Sequence, residues 1–219
     1  MIDGVRKNQE VWESLYKSNK ADLLYPSDAL IRLTNYWFRD LKPRKVLDYG
    51  FGTAANLIYL VNKGLEVSGL EISDEAIRIA KSRLEDRHLS ADLRLTSEGA
   101  ILPWEGGYFD AVIAWQVLSY NDWDGWRHAL SEIDRLLKVG GVFICAIAAP
   151  GDISQVNSRS LGNCLYLSGV GGQEGLVLLI PTKKMLQKCF PGWSIDVGKV
   201  EYEFCGVVSK HWIITYHKI

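Results

Sequence analysis

The sequence predicts an α/β protein built on a doubly wound, mostly parallel sheet of seven strands, with N-terminal helices before it and an antiparallel strand pair at its C-terminal end. Three observations carry this prediction. Strand-like apolar runs alternate with helical patterns from residue 45 to residue 148, a turn with two glycines joins the first strand to a helix, and the last two strand-like stretches have no helix between them. Such alternation is typical of parallel strands covered by helices on both faces.

The first forty residues predict two amphipathic helices. Apolar residues fall at helical spacing within residues 10–19 and again within residues 27–41, and Pro26 breaks the pattern between them. Both helices therefore have one face suited to packing against the sheet.

The central part of the chain supplies the parallel strands. Ser73, followed by two acids, is typical of a helix start, and Gly64 of a helix end. The predicted strands are 45–49, 66–71, 91–96, 109–114 and 142–148, and the predicted helices are 54–63, 74–87 and 122–137.

After residue 149 the pattern changes. Residues 150–175 hold six glycines and many polar residues, which predicts a long functional or mobile connection. A helix at 181–190 and two strands at 194–204 and 211–217 complete the chain. We expect a single domain over 1–219, divided into an N-terminal substrate or lid region (1–42), a cofactor-binding core (43–149), a substrate-side insertion (150–180) and a C-terminal helix with its strand pair (181–219).

Composition fits one globular domain that lacks a global charge. The chain is 47% hydrophobic and 23% charged, with a formal net charge of −1, so no overall attraction to nucleic acid or to an anionic membrane is expected. No apolar run resembles a signal peptide or a membrane span, which predicts a cytoplasmic protein. The four cysteines are scattered without ligand spacing, so we expect neither a metal site nor a disulfide framework.

The turn after the first predicted strand is the candidate binding site. Gly50 and Gly52 let the backbone approach a ligand closely, and the free N–H groups of the following helix face that ligand. Dinucleotides and S-adenosylmethionine both bind to such a turn. Asp48, at the strand end, suits a cationic ligand because a carboxylate can receive an ammonium group. The alternative is that Asp48 caps the next helix.

A second acid supports a nucleoside ligand. Glu71 ends the second strand about twenty residues beyond Gly50, where a carboxylate can accept hydrogen bonds from both ribose hydroxyls. Its alternative role is also that of a helix-capping acid.

At these residues, and at Glu98-Gly99 before Leu102-Pro103-Trp104, the sequence resembles the class I S-adenosylmethionine-dependent methyltransferases of the small-molecule type. The resemblance covers about residues 44–148. It implies that Asp48, Gly50 and Gly52 form the cofactor loop, with Ala54 in the place of a frequent third glycine. The other residues that the resemblance assigns to the cofactor are Glu71 for the ribose, Ile72, Glu98 and Gly99 for the adenine, and Trp115 and Gln116 beside the methyl group.

The resemblance implies an enzyme that methylates oxygen or nitrogen of a small-molecule acceptor, mainly through proximity and alignment. Ala114-Trp115-Gln116-Val117 differs from the motif of nucleobase methyltransferases, and the loop lacks the acid of magnesium-dependent enzymes, so we expect no nucleic-acid substrate and no catalytic metal. Two alternatives stay open. A nicotinamide-dependent oxidoreductase would explain the glycines and Glu71, and a non-catalytic cofactor-binding module is compatible with the same fold.

The catalytic and covering residues are less well defined. Tyr120, which follows the loop beside the methyl group, is the candidate for a base or an acceptor-binding group, its alternative being a packing role. Trp12, Tyr16 and Tyr25 are candidates for an aromatic lid, or else pack on the sheet. We expect the protein to act as a monomer or a homodimer.

Overall fold

The computed structural model describes residues 6–219; the first five residues of the predicted N-terminal region lie outside the described part. The described residues form seven α-helices and ten β-strands. The helices are α1 (Asn8–Lys17), α2 (Asp28–Leu41), α3 (Ala55–Asn62), α4 (Asp74–Glu85), α5 (Trp123–Leu136), α6 (Ile153–Val156) and α7 (Leu186–Cys189). The strands are β1 (Lys45–Tyr49), β2 (Glu66–Glu71), β3 (Asp92–Leu95), β4 (Phe109–Trp115), β5 (Leu137–Ala148), β6 (Ser158–Gly162), β7 (Leu165–Ser168), β8 (Val177–Leu179), β9 (Ile195–Phe204) and β10 (Val207–His217).

The main sheet confirms the predicted fold class. Its seven strands lie in the order β3-β2-β1-β4-β5-β10-β9. The strands β1 to β5 are parallel, whereas β10 is antiparallel to both β5 and β9. Because the strand order reverses between β1 and β4, the carboxyl ends of these two strands form the crevice where open α/β sheets bind ligands.

Alternation along β1 explains why this strand is buried on both faces. Leu47 belongs to the core cluster that includes α5 residues, and Val46 belongs to the cluster formed with α3 and α4. Successive side chains of a strand point to opposite faces, so one short apolar run fills both layers. Asp48 consequently points to the same face as Val46.

Local signals set the helix starts much as predicted. The Ser73 side chain accepts a hydrogen bond from the Ala76 N–H at 3.1 Å, and Asp122 caps α5 through the N–H groups of Asp124 and Gly125. These caps satisfy N–H groups that have no partner inside the helix.

The structure corrects two predictions beyond residue 149. Residues 150–175, for which we predicted a long connection without helices or strands, contain α6, β6 and β7, and β6, β7 and β8 form a separate three-stranded sheet. Sequence reasoning missed these strands because they are short and carry little apolar alternation. The predicted helix at 181–190 is only a 3₁₀ turn, Lys183–Met185, followed by the single turn of α7.

The two C-terminal strands form a hairpin that is longer than predicted. Cys205 and Gly206 join β9 to β10, and β10 pairs along β5 from His211 to His217. Among the described residues, no helix combines the length and the apolar character needed to cross a membrane.

Candidate cofactor and acceptor site

A cavity of about 390 Å³ lies at the carboxyl ends of the parallel strands, beneath α1. It gathers residues that are far apart in sequence, from the first helix to the loop before β8. The predicted site residues that line it are Trp12, Tyr16, Gly50, Gly52, Glu71, Ile72, Glu98, Gly99, Trp115, Gln116 and Tyr120. Asp48 and Tyr25 are the predicted residues that do not line it.

The glycine loop bends because its backbone adopts left-handed angles. Gly50 has φ +74° and Gly52 has φ +56°, values that residues with a side chain rarely adopt. A Cβ on Gly50 would lie 2.4 Å from Cγ2 of Val117, and one on Gly52 would lie 2.9 Å from the Tyr16 hydroxyl. The loop therefore brings backbone to the cavity wall at a point where no side chain fits.

Glu71 holds the glycine loop in place. Its Oε2 accepts a hydrogen bond from the Gly52 N–H at 2.8 Å, and its Oε1 accepts from the N–H groups of Ile72 at 2.8 Å and Ser73 at 3.2 Å. Burial raises the pKa of Glu71, and these three hydrogen bonds oppose that rise. The carboxylate thus faces the cavity while it fixes the ends of β1 and β2 relative to each other.

Helix α4 is capped from outside by a different acid. Glu13 of α1 accepts hydrogen bonds from the Ser73 hydroxyl at 2.5 Å and from the Glu75 N–H at 3.1 Å. Glu71 was the alternative candidate for capping α4. Its one contact of that kind is the hydrogen bond that it accepts from the Ser73 N–H. Helix α1 is anchored to the core through this cap.

Asp48 lies beneath the cavity. Its side chain is only 1% exposed, and its Oδ2 has no hydrogen-bond partner among the described residues. Burial, with the nearby Glu71 carboxylate as the second cause, raises the pKa of Asp48 from its ordinary value of 3.8 to about 7. The alternative that Asp48 caps α3 is not supported, because α3 begins without any side-chain cap. A buried carboxylate without a partner is costly and calls for a positive charge nearby.

The N-terminal helix closes the cavity from above. Trp12 packs edge-on against Tyr120 with ring centroids 4.9 Å apart, and the Tyr16 hydroxyl lies over Gly52. Asn8 joins two walls of the cavity: its backbone N–H donates to Glu98 Oε1 at 3.1 Å, and its amide donates to the Tyr120 carbonyl at 2.7 Å. Trp12 and Tyr16 therefore occupy positions suited to a lid.

The structure corrects the lid prediction at Tyr25. This side chain is 83% exposed and does not reach the cavity. The reason lies in the preceding residues, whose backbone is tied to the glycine loop and to α4 so that Tyr25 is turned outward.

Arg83 of α4 forms the contacts that fix the backbone before Tyr25. Its Nη2 donates to both carboxylate oxygens of Asp22 at 2.6 and 2.7 Å, and its Nη1 donates to the carbonyl oxygens of Leu23 and Thr53 at 2.9 Å each. The Thr53 hydroxyl also bonds the backbone of Leu23. We name residues 8–27 the covering segment; Arg83 joins this segment directly to the glycine loop.

Trp115, the last residue of β4, and Gln116, which follows it, line the cavity. Gln116 has φ +58°, which is strained for a residue with a side chain, and its N–H donates to the Ala146 carbonyl at 2.9 Å. Such strain concentrates at functional sites, where the surrounding structure maintains it.

Tyr120 does not have the properties of a base. Its hydroxyl donates to Oε1 of Gln173 at 3.3 Å, and burial raises its pKa to about 12, so it stays a neutral phenol near neutral pH. Its contacts with Trp12 and Gln173 instead support the alternative of a packing and hydrogen-bonding role.

Several site residues escaped sequence reasoning. Asn8, Asp22, Thr53, Arg83 and Gln173 all line the cavity or hold the segment that covers it. Their contacts join residues that are 30 to 112 positions apart, and no local pattern marks such pairs. Only the proximity of Thr53 to Gly52 was a usable signal.

Replacing Glu71 tests its double role. Glu71→Ala is expected to weaken binding of S-adenosylhomocysteine, the demethylated form of the cofactor that the resemblance implies, by about 1–3 kcal/mol, because a charged acceptor and the loop that it holds are both lost. Glu71→Gln keeps one acceptor oxygen, so its affinity for S-adenosylhomocysteine should lie between those of Glu71→Ala and the wild type. Titration calorimetry measures the affinity, and thermal melting checks the fold. Unchanged affinity in a folded Glu71→Ala protein would remove Glu71 from the site.

Comparisons with known proteins point to one family. The sequence profile described as methyltransferase domain matches residues 46–141. The chain is 28% identical over 142 residues to a ubiquinone biosynthesis O-methyltransferase of Azoarcus sp. (strain BH72), across 64% of this chain and 55% of that protein. The chain thus spans about half the length of the curated relatives it matches.

Solved structures extend the likeness to nearly the whole chain. A protein from work on the conversion of a disulfide bond into a thioacetal group during echinomycin biosynthesis has a TM-score of 0.73 at 20% identity, covering 96% of this chain and 91% of its own. The 1,6-didemethyltoxoflavin-N1-methyltransferase of Burkholderia thailandensis has a TM-score of 0.69 at 17% identity, covering 96% and 86%. At these identities the likeness shows the fold.

Proposed function

We propose that the chain is a class I S-adenosylmethionine-dependent methyltransferase and that it transfers a methyl group from that cofactor to an oxygen or nitrogen atom of a small-molecule acceptor. The matched methyltransferase domain and the shared fold support this proposal. The observation that carries the proposal is the cavity beneath α1, where the glycine loop, Glu71 and Glu98 meet in the order of the strands β1, β2 and β3. The matched profile is a methyltransferase domain, which favours this function over that of a nicotinamide-dependent oxidoreductase.

The residues present fit a cationic nucleoside cofactor. The backbone at Gly50 and Gly52 can approach a ligand closely because no side chain intervenes. The Asp48 carboxylate, whose Oδ2 has no hydrogen-bond partner among the described residues, is stabilised by a cation nearby. Glu71 would accept from the ribose, Ile72, Glu98 and Gly99 would lie at the adenine, and Trp115 and Gln116 at the methyl group. When bound, S-adenosylmethionine supplies an activated methyl group.

The residues of this chain then have to align the acceptor and exclude water. Trp12, Tyr16 and Tyr120 present aromatic rings to the cavity, which suits a flat acceptor. Because Tyr120 stays protonated and donates to Gln173, it can orient an acceptor by hydrogen bonding without taking its proton. No metal is needed for this alignment.

The acceptor is proposed to be a planar aromatic or heterocyclic compound. The Azoarcus relative is named for O-methylation in ubiquinone biosynthesis, and the Burkholderia neighbour for N-methylation of a toxoflavin precursor. The aromatic walls of the cavity agree with this acceptor class. We further propose that the covering segment and the region 150–180, which contributes Gly171 and Gln173, form the acceptor side of one cytoplasmic domain.

Calorimetry and product analysis together test the proposed function. We expect S-adenosylhomocysteine to bind and NAD to produce no heat. Incubation with S-adenosylmethionine and a panel of hydroxylated aromatic and heterocyclic compounds should give a product heavier by one methylene group, in the presence of EDTA as well. Binding without any methylated product would favour the non-catalytic module, and binding of NAD alone would contradict the proposal.

The contacts of Arg83 lead to a separate prediction about the covering segment. Arg83→Met should speed amide hydrogen exchange in residues 18–27, corresponding to about 1–2 kcal/mol less protection, because a bidentate ion pair and two further hydrogen bonds are lost. It should also weaken binding of S-adenosylhomocysteine, because the Thr53 carbonyl beside the glycine loop loses its hydrogen bond from Arg83. Hydrogen exchange with mass spectrometry measures the first effect.

Arg78→Met is the matched control for this prediction. Arg78 lies on the same helix, at the surface, and Glu75 is its one ion-pair partner within residues 6–219. Equal exchange rates in the two variants would show that Arg83 does not hold the covering segment.

A further inference from the structure

Carboxylates outnumber cationic side chains on the cavity wall. Lys20 is the single lysine or arginine among the described residues that line it, whereas Asp22, Glu71 and Glu98 contribute three carboxylates. The Asp22 carboxylate already accepts two hydrogen bonds from Arg83. Among the described residues, Lys20 is absent from the ion pairs that lysines form. A ligand with one negative group therefore meets one available cationic side chain.

The chain that follows Lys20, a residue of the cavity wall, is bonded to one end of the cavity. Glu98, Glu71 and Gly50 lie at the carboxyl ends of β3, β2 and β1, which are successive in the sheet. If adenine binds at Glu98 and ribose at Glu71, as proposed above, the amino-acid end of the cofactor lies at the glycine loop. The segment that carries Lys20 is bonded to this loop, because Leu23 contacts Thr53 and Ser27 contacts Asn56.

The other titratable nitrogen on the wall lies at the opposite end. His128 Nε2 is 3.0 Å from the Ala100 carbonyl, two residues beyond Glu98. It is therefore placed beside the adenine region and away from the glycine loop. Lys20 is the residue that remains for a carboxylate at the amino-acid end.

We propose that the Lys20 ammonium binds the carboxylate of the methionine part of the cofactor. This inference rests on the proposed function and deepens it. The N–H groups at the start of α3 offer partial positive charge on one side of that carboxylate, and Lys20 supplies a full charge from the cover. The covering segment thus binds the amino-acid end of the cofactor. A cofactor that carries its amino-acid group therefore stabilises the covering segment in its position over the cavity.

A comparison of two ligands tests the proposal in binding experiments. S-adenosylhomocysteine carries the carboxylate, and 5′-methylthioadenosine lacks the whole amino-acid group. Lys20→Met should weaken the binding of S-adenosylhomocysteine by about 3- to 30-fold, between the effect of losing an exposed ion pair and that of losing a hydrogen bond to a charged group. The affinity for 5′-methylthioadenosine should stay within about twofold. Lys20→Arg, which keeps the charge, should recover most of the loss.

Lys17→Met is the matched control. Lys17 lies three residues earlier, pairs with Glu13 at 3.0 Å and does not line the cavity. This variant should change neither affinity, which separates a specific contact from a general effect of charge on the covering segment.

The remaining outcomes distinguish the failure of this inference from the failure of the proposed function. If the wild type binds neither ligand, the proposed function fails. If it binds both and Lys20→Met changes neither affinity, or changes both equally, the inference is wrong while the function stands. An unchanged affinity for S-adenosylhomocysteine with a raised KM for the acceptor would assign Lys20 to the acceptor and overturn the inference.

Discussion

Asp48→Asn is expected to make the unliganded protein more stable and its cofactor binding weaker. The Asp48 carboxylate is buried, its Oδ2 has no partner among the described residues, and its pKa is raised to about 7. A neutral amide of nearly the same shape avoids the cost of a buried charge. The same charge has a use when a cationic cofactor binds, so the two effects should have opposite signs.

The pH dependence follows from the direction of the pKa shift. An acid whose pKa is higher in the folded than in the unfolded state holds its proton longer when folded, so its contribution to stability falls as pH rises from about 4 to about 7. The difference between 3.8 and about 7, at about 1.36 kcal/mol for each pKa unit, corresponds to up to about 4 kcal/mol. Asp48→Asn should recover this free energy of unfolding at pH 8 and little of it at pH 4.

Asp110→Asn is a control with the opposite sign. Asp110 accepts hydrogen bonds from Lys138 Nζ and from the N–H groups of Arg44 and Lys45, and these partners hold its pKa below the ordinary value although burial opposes them. An acid of this kind stabilises the fold above its unfolded pKa, so the variant should be less stable at pH 8. Denaturant unfolding at the two pH values measures both. A destabilised Asp48→Asn protein at pH 8 would contradict the assigned role.

Cofactor binding provides the second half of the test. In the wild type, Asp48 has to lose a proton before it stabilises a cationic ligand, so affinity for S-adenosylmethionine should fall as pH drops below about 7. Calorimetry in two buffers of different ionisation enthalpy should detect proton release on binding. In Asp48→Asn both the pH dependence and the proton release should disappear, and the affinity at pH 8 should be lower.

The sequence was sufficient for the parts of the fold that local patterns specify. The alternating strands and helices from β1 to β5 follow from apolar runs, from the capping signals of Ser73 and Asp122, and from glycines at helix ends. The acids at strand ends were predictable for the same reason, because strand order places their residues at one edge. The hairpin of β9 and β10 was predictable in kind, though not in length.

The cover of the site depends on long-range contacts that no local pattern encodes. The pair Asp22–Arg83 and the bond from Asn8 to Glu98 join elements that only the completed fold brings together. Tyr25 shows the resulting error: its aromatic ring suggested a lid, but the backbone before it is fixed in a direction that leaves the ring in solvent. The short strands β6 to β8 were missed because pairing between them, and not their own residue pattern, stabilises them.

Gly50→Ala is expected to have the largest effect of any single substitution in the glycine loop. Alanine at φ +74° costs about 1–2 kcal/mol, and its Cβ would lie 2.4 Å from Val117 Cγ2, which adds an overpacking cost of about 1–3 kcal/mol. The loop has to shift, and Gly52, whose N–H bonds Glu71, shifts with it. We expect the affinity for S-adenosylhomocysteine to fall by more than about 100-fold, in line with a few kcal/mol.

Gly64→Ala separates backbone strain from the clash. Gly64 has φ +79°, lies at the end of α3 away from the cavity, and has no atom within 4 Å of an added Cβ. This variant should lose about 1–2 kcal/mol of stability and keep its cofactor affinity. Adding Val117→Ala to Gly50→Ala removes the atom that clashes most and should recover part of the stability. If Gly50→Ala and Gly64→Ala bind S-adenosylhomocysteine equally well, close backbone approach at Gly50 is not what the cofactor site requires.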